Sequence, residues 1–363
     1  MSAPDVAVVG GGIVGTSLAA LLAEAGASVR LYEREAIAAA ASGRNSGVLQ
    51  HPLDEALVAL HERSLELYAG LGHGFAMPEP AGVLVVSADG AALDGDRAAI
   101  AARFPELAPE WLEGAALAAA EPALAEGLFA YRLATGRSIP PAAATLAWAE
   151  RAREAGAELR VGARVTGVER SGGRATGVLT GGGAEPAGAV VVAAGPWTPE
   201  VVDPGGDWRP IAPLWGVNVE VHLPEPPRHV LEQAGVEELT AAGGAPDSIF
   251  SIVTAGGASA LGSTFLPQEP DPDRMAPLLL ERGEAFVPAL GRVTSFAARA
   301  CPRPQSRDGR PLLGPLDGVE GLHVAAGHGA WGISLGPGSA RLVADAVLGD
   351  AAIPPPLAAA RFG

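Results

Sequence analysis

The spacing of apolar residues and glycines at the start of the chain predicts a strand, a helix and a second strand. Val6 to Val9 form a short β-branched run typical of a buried parallel strand. Leucines between Leu18 and Leu22 then recur at helical intervals until Gly26, which is a helix stop signal. Val29 to Tyr32 form the next apolar run. Together these segments predict a βαβ unit.

The glycines between the first strand and the helix indicate what this unit binds. Gly10, Gly12 and Gly15 have the GxGxxG spacing, and Glu33 ends the second strand. The first glycine permits a tight turn, the second lets backbone approach a pyrophosphate, and the third lets the helix pack on the strand. The helix N-terminus favours the phosphate charge, and a carboxylate at the end of the second strand accepts ribose hydroxyls. The pattern therefore predicts dinucleotide binding.

The same patterns recur later in the chain. Apolar and charged faces alternate over Ala143–Ala155 and predict a helix. Strands are predicted for Arg160–Val168, Val190–Val192 and Leu322–Ala326.

A second glycine-rich turn follows the last of these strands. Gly327, Gly329 and Gly332 are expected to form a loop, and a helix with one apolar side over residues 342–347 is expected to follow Gly336 to Ser339.

Two stretches differ from this pattern. Residues 72–137 and 208–300 contain β-branched runs such as "GVLVVSAD" and "SIFSIVTAGGASALGSTFLP", bounded by Pro and Gly, and these predict antiparallel strands. The predicted fold is α/β. It has a discontinuous Rossmann-like nucleotide-binding domain (1–71, 138–207 and 301–363) and a second α+β domain (72–137 and 208–300) built on a largely antiparallel sheet.

Composition narrows the classes of function. The 363 residues are 48% hydrophobic, which excludes a disordered chain, and the net charge of −16 disfavours nucleic acid or an anionic membrane as partner. One cysteine excludes an intramolecular disulfide, and no apolar run approaches the roughly 18 residues of a membrane-spanning helix. We expect a cytoplasmic protein. The chain has no lysine, so lysine Schiff-base chemistry is excluded.

The loop "AAAASGRNSGVLQH" after the βαβ unit is small, polar and without helix or strand periodicity. Together with the glycine motifs, it resembles the second flavin-contacting loop of the FAD-dependent D-amino-acid oxidase superfamily. That superfamily includes glycine oxidase, sarcosine oxidase, D-amino-acid dehydrogenase and L-2-hydroxyglutarate dehydrogenase. The resemblance extends over most of the chain and favours FAD over NAD.

The resemblance implies a set of cofactor-binding positions and no metal site. The expected FAD-binding residues are Gly10, Gly12, Ile13, Val14, Gly15, Glu33, Arg34, Ser42, Arg44, Asn45, Ser46, Gly47, Val165, Ala194, Gly195, Trp197, Cys301, Gly327, Gly329, Gly332 and Ile333.

The resemblance also implies which side chains face the substrate. In the glycine oxidase and D-amino-acid oxidase branches, a Gly-x-Arg-Pro segment supplies an arginine for the substrate carboxylate, and here Arg303 holds that place in "CPRP". Those branches add a tyrosine from the second domain, yet residues 208–300 contain none, which leaves Trp215, His222 or Phe250 as possible pocket residues.

Gln50 and His51 follow the flavin loop, where members of the superfamily place polar residues near the substrate. His51 is a candidate base or orienting donor, since its charge can change near neutral pH. A loop-packing role for His51 is the alternative. His328 is expected to make a structural hydrogen bond.

Cys301 has two interpretations. In the sarcosine oxidase branch, a cysteine in this segment, seven residues before an aspartate, carries a thioether to the flavin, and Cys301 stands in that relation to Asp308. On an extended strand Cys301 and Arg303 share a face. The other interpretation is a small buried hydrophobe in place of the usual glycine, with FAD bound non-covalently, which the proline-flanked Arg303 favours.

These observations predict an enzyme that oxidises a small amine or amino acid to an imine by hydride transfer to flavin N5, with O₂ or another electron acceptor. A 2-hydroxy-acid dehydrogenase of the L-2-hydroxyglutarate type, a nicotinamide-dependent enzyme and a non-catalytic flavoprotein assembly factor are the alternatives.

Overall fold

The computed structural model describes residues 3–235, 248–349 and 351–362, so parts of the predicted stretches 1–71, 208–300 and 301–363 lie outside the described residues. The predicted βαβ unit is present as β1 (Val6–Val9), α1 (Ile13–Glu24) and β2 (Val29–Glu33). β1 is fully buried, as its continuous apolar run predicts.

A six-stranded sheet among the described residues carries this unit in the order β18-β19-β12-β1-β2-β8. All neighbouring pairs are parallel except β18 with β19. The strands not yet given are β8 (Glu158–Val161), β12 (Ala189–Val192), β18 (Leu312–Pro315) and β19 (Leu322–Ala326).

Different layers cover the two faces of this sheet. Val6 and Val8 point into a core shared with helices α1, α3 (Glu55–Ala69), α6 (Ala143–Glu154) and α9 (Gly332–Leu348). Ala7 and Val9 point to the other side, where a three-stranded antiparallel sheet packs: β9 (Val165–Ser171), β10 (Arg174–Thr180) and β11 (Gly183–Pro186).

The second large sheet has eight described strands in the order β17-β13-β16-β15-β14-β4-β6-β5, antiparallel throughout except for the parallel pair β14 and β4. The strands are β4 (Val83–Ser87), β5 (Glu110–Glu113), β6 (Phe129–Leu133), β13 (Ile211–Val221), β14 (Val230–Gln233), β15 (Ser251–Ala255), β16 (Ala258–Gly262) and β17 (Ala297–Ser306). One face packs on α8 (Pro272–Glu284). The expectation of a largely antiparallel second sheet is confirmed.

Shorter elements connect these layers. They are α2 (Ala41–Arg44), α4 (Gly90–Arg103), α5 (Gly114–Ala120), α7 (Thr198–Val202) and the two-stranded pair β3 (Val48–Leu49) and β7 (Arg137–Ser138). In the described part of the chain, every helix is too short or too polar to cross a bilayer.

Two predicted elements were wrong in their bounds. The single strand over 160–168 is two strands, β8 and β9, because Gly162 takes a left-handed conformation with φ of 79° and turns the chain between them. The last helix begins at Gly332, well before the predicted start, and contains Pro337 and the small residues around it. The proposed domain division stays a prediction, with its boundaries at 137/138 and 300/301 inside β7 and β17.

The small residues of α9 let it approach α3 closely. A Cβ added at Gly338 would overlap the carbonyl oxygen of Leu60, and the Gly338 N–H donates to Ser64 Oγ at 2.9 Å. Nearby, the Tyr68 hydroxyl donates to the Ile333 carbonyl at 2.7 Å. Gly338 therefore fixes the separation of the two helices.

We expect Gly338→Ala to destabilise the protein by roughly 1–3 kcal/mol, because the added methyl forces the two backbones apart. The measurement is the midpoint of urea unfolding. Gly95→Ala in exposed α4, where nothing lies within 4 Å of the new Cβ, is the matched control, and helix propensity predicts that it is neutral or slightly stabilising. Equal midpoints for the two variants would contradict the close packing.

Candidate active site

A single continuous cavity runs from the carboxyl ends of β1, β2 and β12 to one face of the eight-stranded sheet. In parallel α/β sheets, ligands bind outside the carboxyl ends of the strands. At its far end the cavity is lined from the second sheet by Asn218, Glu232, Ser251, Cys301 and Arg303. It therefore joins the predicted nucleotide site to the predicted substrate site.

The turn between β1 and α1 is built by close backbone contacts. Gly10 has φ of 116°, and a Cβ there would overlap the carbonyl oxygen of Ala193 on the neighbouring strand exit. A Cβ on Gly15 would overlap the carbonyl oxygen of Gly10, so the helix rests directly on the turn. Only glycine permits both contacts.

The start of α1 presents backbone to the cavity. Gly12 is its N-cap and has no side chain to cover the first turn. Ser42 Oγ accepts the Ile13 N–H at 2.9 Å and brings the following loop over the turn. Glu33 Oε2 accepts the Gly11 N–H at 2.7 Å, so the carboxylate lies at the cavity wall beside the glycines.

A planar surface lies at the end of the cavity beyond Glu33. The Arg34 guanidinium stacks on the Trp197 ring with 3.6 Å between its carbon and the ring centroid. Both side chains line the cavity, as do Val165, Ala194 and Gly195. A flat cation–π pair beside small residues suits an aromatic base.

The middle of the cavity lies between the loop after β2 and the start of α9. Asn45 and Ser46 line it from the loop, and Gly329, Gly332 and Ile333 line it from the other side. The helix N-terminus directs N–H groups and partial positive charge into this part of the cavity. An elongated flavin dinucleotide fits this series of features, which are the glycine turn, the carboxylate at the end of β2, the stacked cation–π pair and the second helix N-terminus.

Arg303 is the cation at the substrate end. Its Nη1 donates to the Thr264 carbonyl at 2.8 Å and its Nη2 donates to Ser263 Oγ. The guanidinium lies 4.6 Å from the Phe265 ring centroid, and burial lowers its pKa from the usual value. Within the described residues it forms no ion pair with a carboxylate.

Cys301 and Arg303 both line the cavity from β17, as the two-residue period of a strand predicts. The thiol is buried and free. Burial raises the pKa of the Cys301 thiol, and the charges of Arg303, Arg299 and Arg44 act in the opposite direction. Asp308, the residue seven positions on, pairs with Arg361 at 2.8 Å.

The suggested aromatic pocket residues of the second sheet lie elsewhere. Trp215, His222 and Phe250 do not line the cavity; Phe250 stacks on Phe286 at 4.4 Å on the opposite face of the sheet. Strand alternation gives the reason, because Ile249 and Ser251 on either side of Phe250 face the cavity instead.

Glu232 is a cavity residue that sequence reasoning missed. It lies on β14, and Gln50 donates a side-chain hydrogen bond to its carboxylate. Burial raises the pKa of Glu232 to about 7, against the lowering effect of Gln50. The available signal was a carboxylate directly after the apolar pair Val230 and Leu231 in "HVLEQ".

Most of the predicted positions line one cavity, and five do not: Gly15, Arg44, Gly47, His51 and Gly327. For the three glycines, a Cβ would overlap or crowd other parts of the chain, so they are packing positions. Arg44 is exposed, and its carbonyl accepts Asn218 Nδ2 at 3.0 Å.

His51 lies behind the cavity wall with a different set of neighbours. Its ring packs edge-on against His61 and Phe104, and its Nε2 lies 3.6 Å from Glu106 Oε1. Burial lowers the pKa of His51. These contacts match the loop-packing alternative rather than a base facing the substrate.

His328 is buried, and its Nε2 lies 3.0 Å from Ser339 Oγ. Burial lowers its pKa to about 4, so the imidazole is neutral at pH 7. Among the residues that the structure describes, no group of three or more His, Cys, Asp or Glu side chains is arranged to hold a metal ion.

Comparison with known proteins identifies the family. The family model for "DAO: FAD dependent oxidoreductase" matches residues 5–346. Glycine oxidase of Geobacillus kaustophilus is 31% identical over 362 residues, covering 94% of this chain and 92% of that protein. The crystal structure of glycine oxidase from Geobacillus kaustophilus aligns with 99% of this chain over 99% of its own length, with a TM-score of 0.87 and 27% identity.

A second relative is similar over a shorter length. D-amino acid dehydrogenase of Xanthobacter autotrophicus is 31% identical over 201 residues, which are 54% of this chain and 45% of that protein. The relatives act on amino acids by their names, and the predictions of family, fold class and FAD are confirmed. The chain belongs to the DAO family of FAD-dependent oxidoreductases and is an enzyme acting on amino acids or amines.

Proposed function

We propose that this enzyme oxidises an amino acid at its Cα–N bond to the imine, with Arg303 binding the substrate carboxylate. The observation that carries this proposal is the charge of Arg303 at the substrate end of the cavity, with no carboxylate partner among the described residues. A cation in such a place is costly unless a ligand compensates it. A carboxylate is the anion whose geometry matches a guanidinium fork.

The contacts of Arg303 hold it ready for that ligand. Thr264 and Ser263 each accept one hydrogen bond from the guanidinium, which has five N–H donors in all. Phe265 covers one face of the group. The remaining donors are available to a carboxylate, and a bound carboxylate fixes the orientation of the adjacent Cα.

The cofactor-binding residues in this proposal are those that line the cavity. Gly10, Gly12 and the start of α1 would hold the pyrophosphate, Glu33 the ribose, and Arg34 with Trp197 the adenine. When bound, FAD supplies the two-electron acceptor.

The chain's own residues would position the substrate and exclude water. Ile249, Phe265 and Trp331 line the same cavity as Arg303 and would keep the reacting carbon in apolar surroundings. The N–H groups at the start of α9 stabilise negative charge placed beside them. The imine would then hydrolyse in water after release.

The electron acceptor in this proposal is O₂ or a second redox partner. The relatives include proteins named as an oxidase and as a dehydrogenase. The absence of lysine from the sequence removes one way of placing a cation beside the flavin to promote reaction with O₂.

The direct test is anaerobic titration of the purified, yellow protein with amines, amino acids and 2-hydroxy acids, followed by admission of air. We expect bleaching of the flavin absorbance by at least one amino acid, and recovery of colour in air if O₂ is the acceptor. Bleaching by a hydroxy acid alone would replace the proposal with a 2-hydroxy-acid dehydrogenase. No bleaching by any compound would favour a non-catalytic flavoprotein.

We expect Arg303→Lys to lower kcat/KM roughly 30-fold or more, because a point charge cannot reproduce the two-pronged contact with a carboxylate. Steady-state kinetics with the best substrate is the measurement. Arg299→Lys is the matched control on the same strand, since Arg299 pairs with Glu220 at 2.8 Å and does not line the cavity. Similar losses in both variants would contradict the role of Arg303.

We expect acid precipitation to leave the yellow colour in the supernatant, because burial raises the pKa of the Cys301 thiol and so disfavours the thiolate that attacks a flavin. Absorbance of the pellet and supernatant is the measurement. Cys301→Ser is the control and should behave identically. Flavin in the wild-type pellet but not in the Cys301→Ser pellet would establish a thioether.

A further inference from the structure

We propose that Glu232 and Gln50 form a second substrate-binding site for a cationic group, and that the preferred substrates are amino acids whose side chain ends in an amine or guanidinium. This inference rests on the proposed function, in which Arg303 binds the substrate carboxylate. It concerns the same substrate end of the cavity and names the substrate class.

The register of the sheet places Glu232 in a row of cavity-facing residues. Glu232 on β14 pairs with Ser251 on β15, which pairs with Gly262 on β16, and Gly262 pairs with Asn218 on β13. Glu232, Ser251 and Asn218 all line the cavity. The carboxylate therefore belongs to the same surface that carries Arg303.

The separation of the two charges follows from the strand order. Arg303 starts on β17, crosses Gly216 of β13, and donates to Ser263 and Thr264 just beyond β16. From β16 to the Glu232 strand there are two further strand spacings, or about 10 Å. A substrate with a carboxylate at Arg303 and a cationic side chain directed along the row spans this gap.

Gln50 donates a hydrogen bond to Glu232, but the described residues leave the charge of this carboxylate without a cationic partner. No arginine or histidine forms an ion pair with Glu232 in the described part of the chain, and residues 236–247 contain no basic side chain in the sequence. The buried Gln50 Oε1 has no hydrogen-bond partner among the described atoms. Glu232 and Gln50 both line the cavity, and a ligand with N–H donors and positive charge would balance the carboxylate of Glu232.

The chemistry of the oxidation distinguishes the two nitrogens of such a substrate. The Cα–H bond breaks, its hydrogen and electron pair pass to the flavin, and the lone pair of the neutral α-amine forms the C=N bond. The α-amine is therefore not the cation that balances Glu232 during the reaction. A side-chain ammonium or guanidinium keeps its proton throughout and provides that balance.

The charge of Glu232 varies near neutral pH, because burial raises its pKa to about 7. The register partners of Glu232 on β4 and β15 are Val85 and Ser251, which do not titrate near neutral pH. The ionisable side chains on other elements near this face include His51, His61, Tyr131 and Arg137, and Arg303 lies on the same sheet.

The binding test uses 6-aminohexanoate and hexanoate, which share a carboxylate and differ in a terminal ammonium, and neither carries an α-amine. Perturbation of the flavin spectrum of the holoenzyme reports the dissociation constants. We expect 6-aminohexanoate to bind roughly 10- to 100-fold more tightly than hexanoate. Glu232→Gln should remove this preference, and Glu110→Gln, at an exposed residue of the same sheet, should keep it.

The kinetic test compares lysine with norleucine, in both enantiomers, as reductants of the flavin. We expect Glu232→Gln to lower kcat/KM for lysine roughly 10- to 100-fold. The same substitution should leave kcat/KM for norleucine within about threefold of the wild-type value. In the wild type, the ratio of kcat/KM for lysine to kcat/KM for norleucine should rise through pH 7 as Glu232 ionises, because deprotonation of the α-amine raises both values alike. In Glu232→Gln this ratio should not change through pH 7.

Equal binding of the two hexanoates by the wild type would overturn the inference. Equal loss of lysine and norleucine activity in Glu232→Gln would also overturn it, since the carboxylate would then act on the α-amine. Preferred binding of 6-aminohexanoate without reduction by any amino acid would support the cation site and refute the proposed function.

Discussion

The architecture depends on the close approach of three backbones at the turn after β1. Gly10 lies against the carbonyl of Ala193, and Gly15 lies against the carbonyl of Gly10. These contacts seat α1 on β1 and β12 with no side chain between them. The N-terminus of α1 consequently opens into the cavity at the carboxyl edge of the sheet, where the Glu33 carboxylate meets it. A larger residue at either position would lift the helix and close this end of the cavity.

The elements that depend on local pattern were predictable. The βαβ unit, the helix over 143–154 and the strands over 189–192 and 322–326 follow from apolar periodicity and from glycine at their ends. The predicted bounds were wrong for two elements. A left-handed glycine at position 162 divided an apparently continuous strand, and the last helix, expected to follow Gly336 to Ser339, begins earlier at Gly332.

The candidate site was predictable in part, for the same physical reason. Cys301 and Arg303 share a strand, so the period of two was enough to place them together. The place of Glu232 in the cavity depends on the register of β14 against β15 and on the approach of Gln50 from the loop after β3, which are long-range contacts. His51 is the opposite case, in which closeness in sequence does not place a side chain in the cavity. It is adjacent to a cavity residue in sequence, but its ring packs behind the wall against His61 and Phe104.

Gly216 explains how a charged side chain can lie across this sheet. It pairs with Cys301 in register, and a Cβ at this position would overlap the Arg303 guanidinium. A glycine within a strand marks a close approach, and here it leaves room over β13 for the guanidinium, whose carbon lies 4.6 Å from the Phe265 ring centroid. The group is thereby fixed before a ligand arrives, so less side-chain entropy is lost on binding. The buried Cys301 is the register partner of Gly216 and lines the same cavity as Arg303, so the thiol and the guanidinium belong to one surface of the sheet.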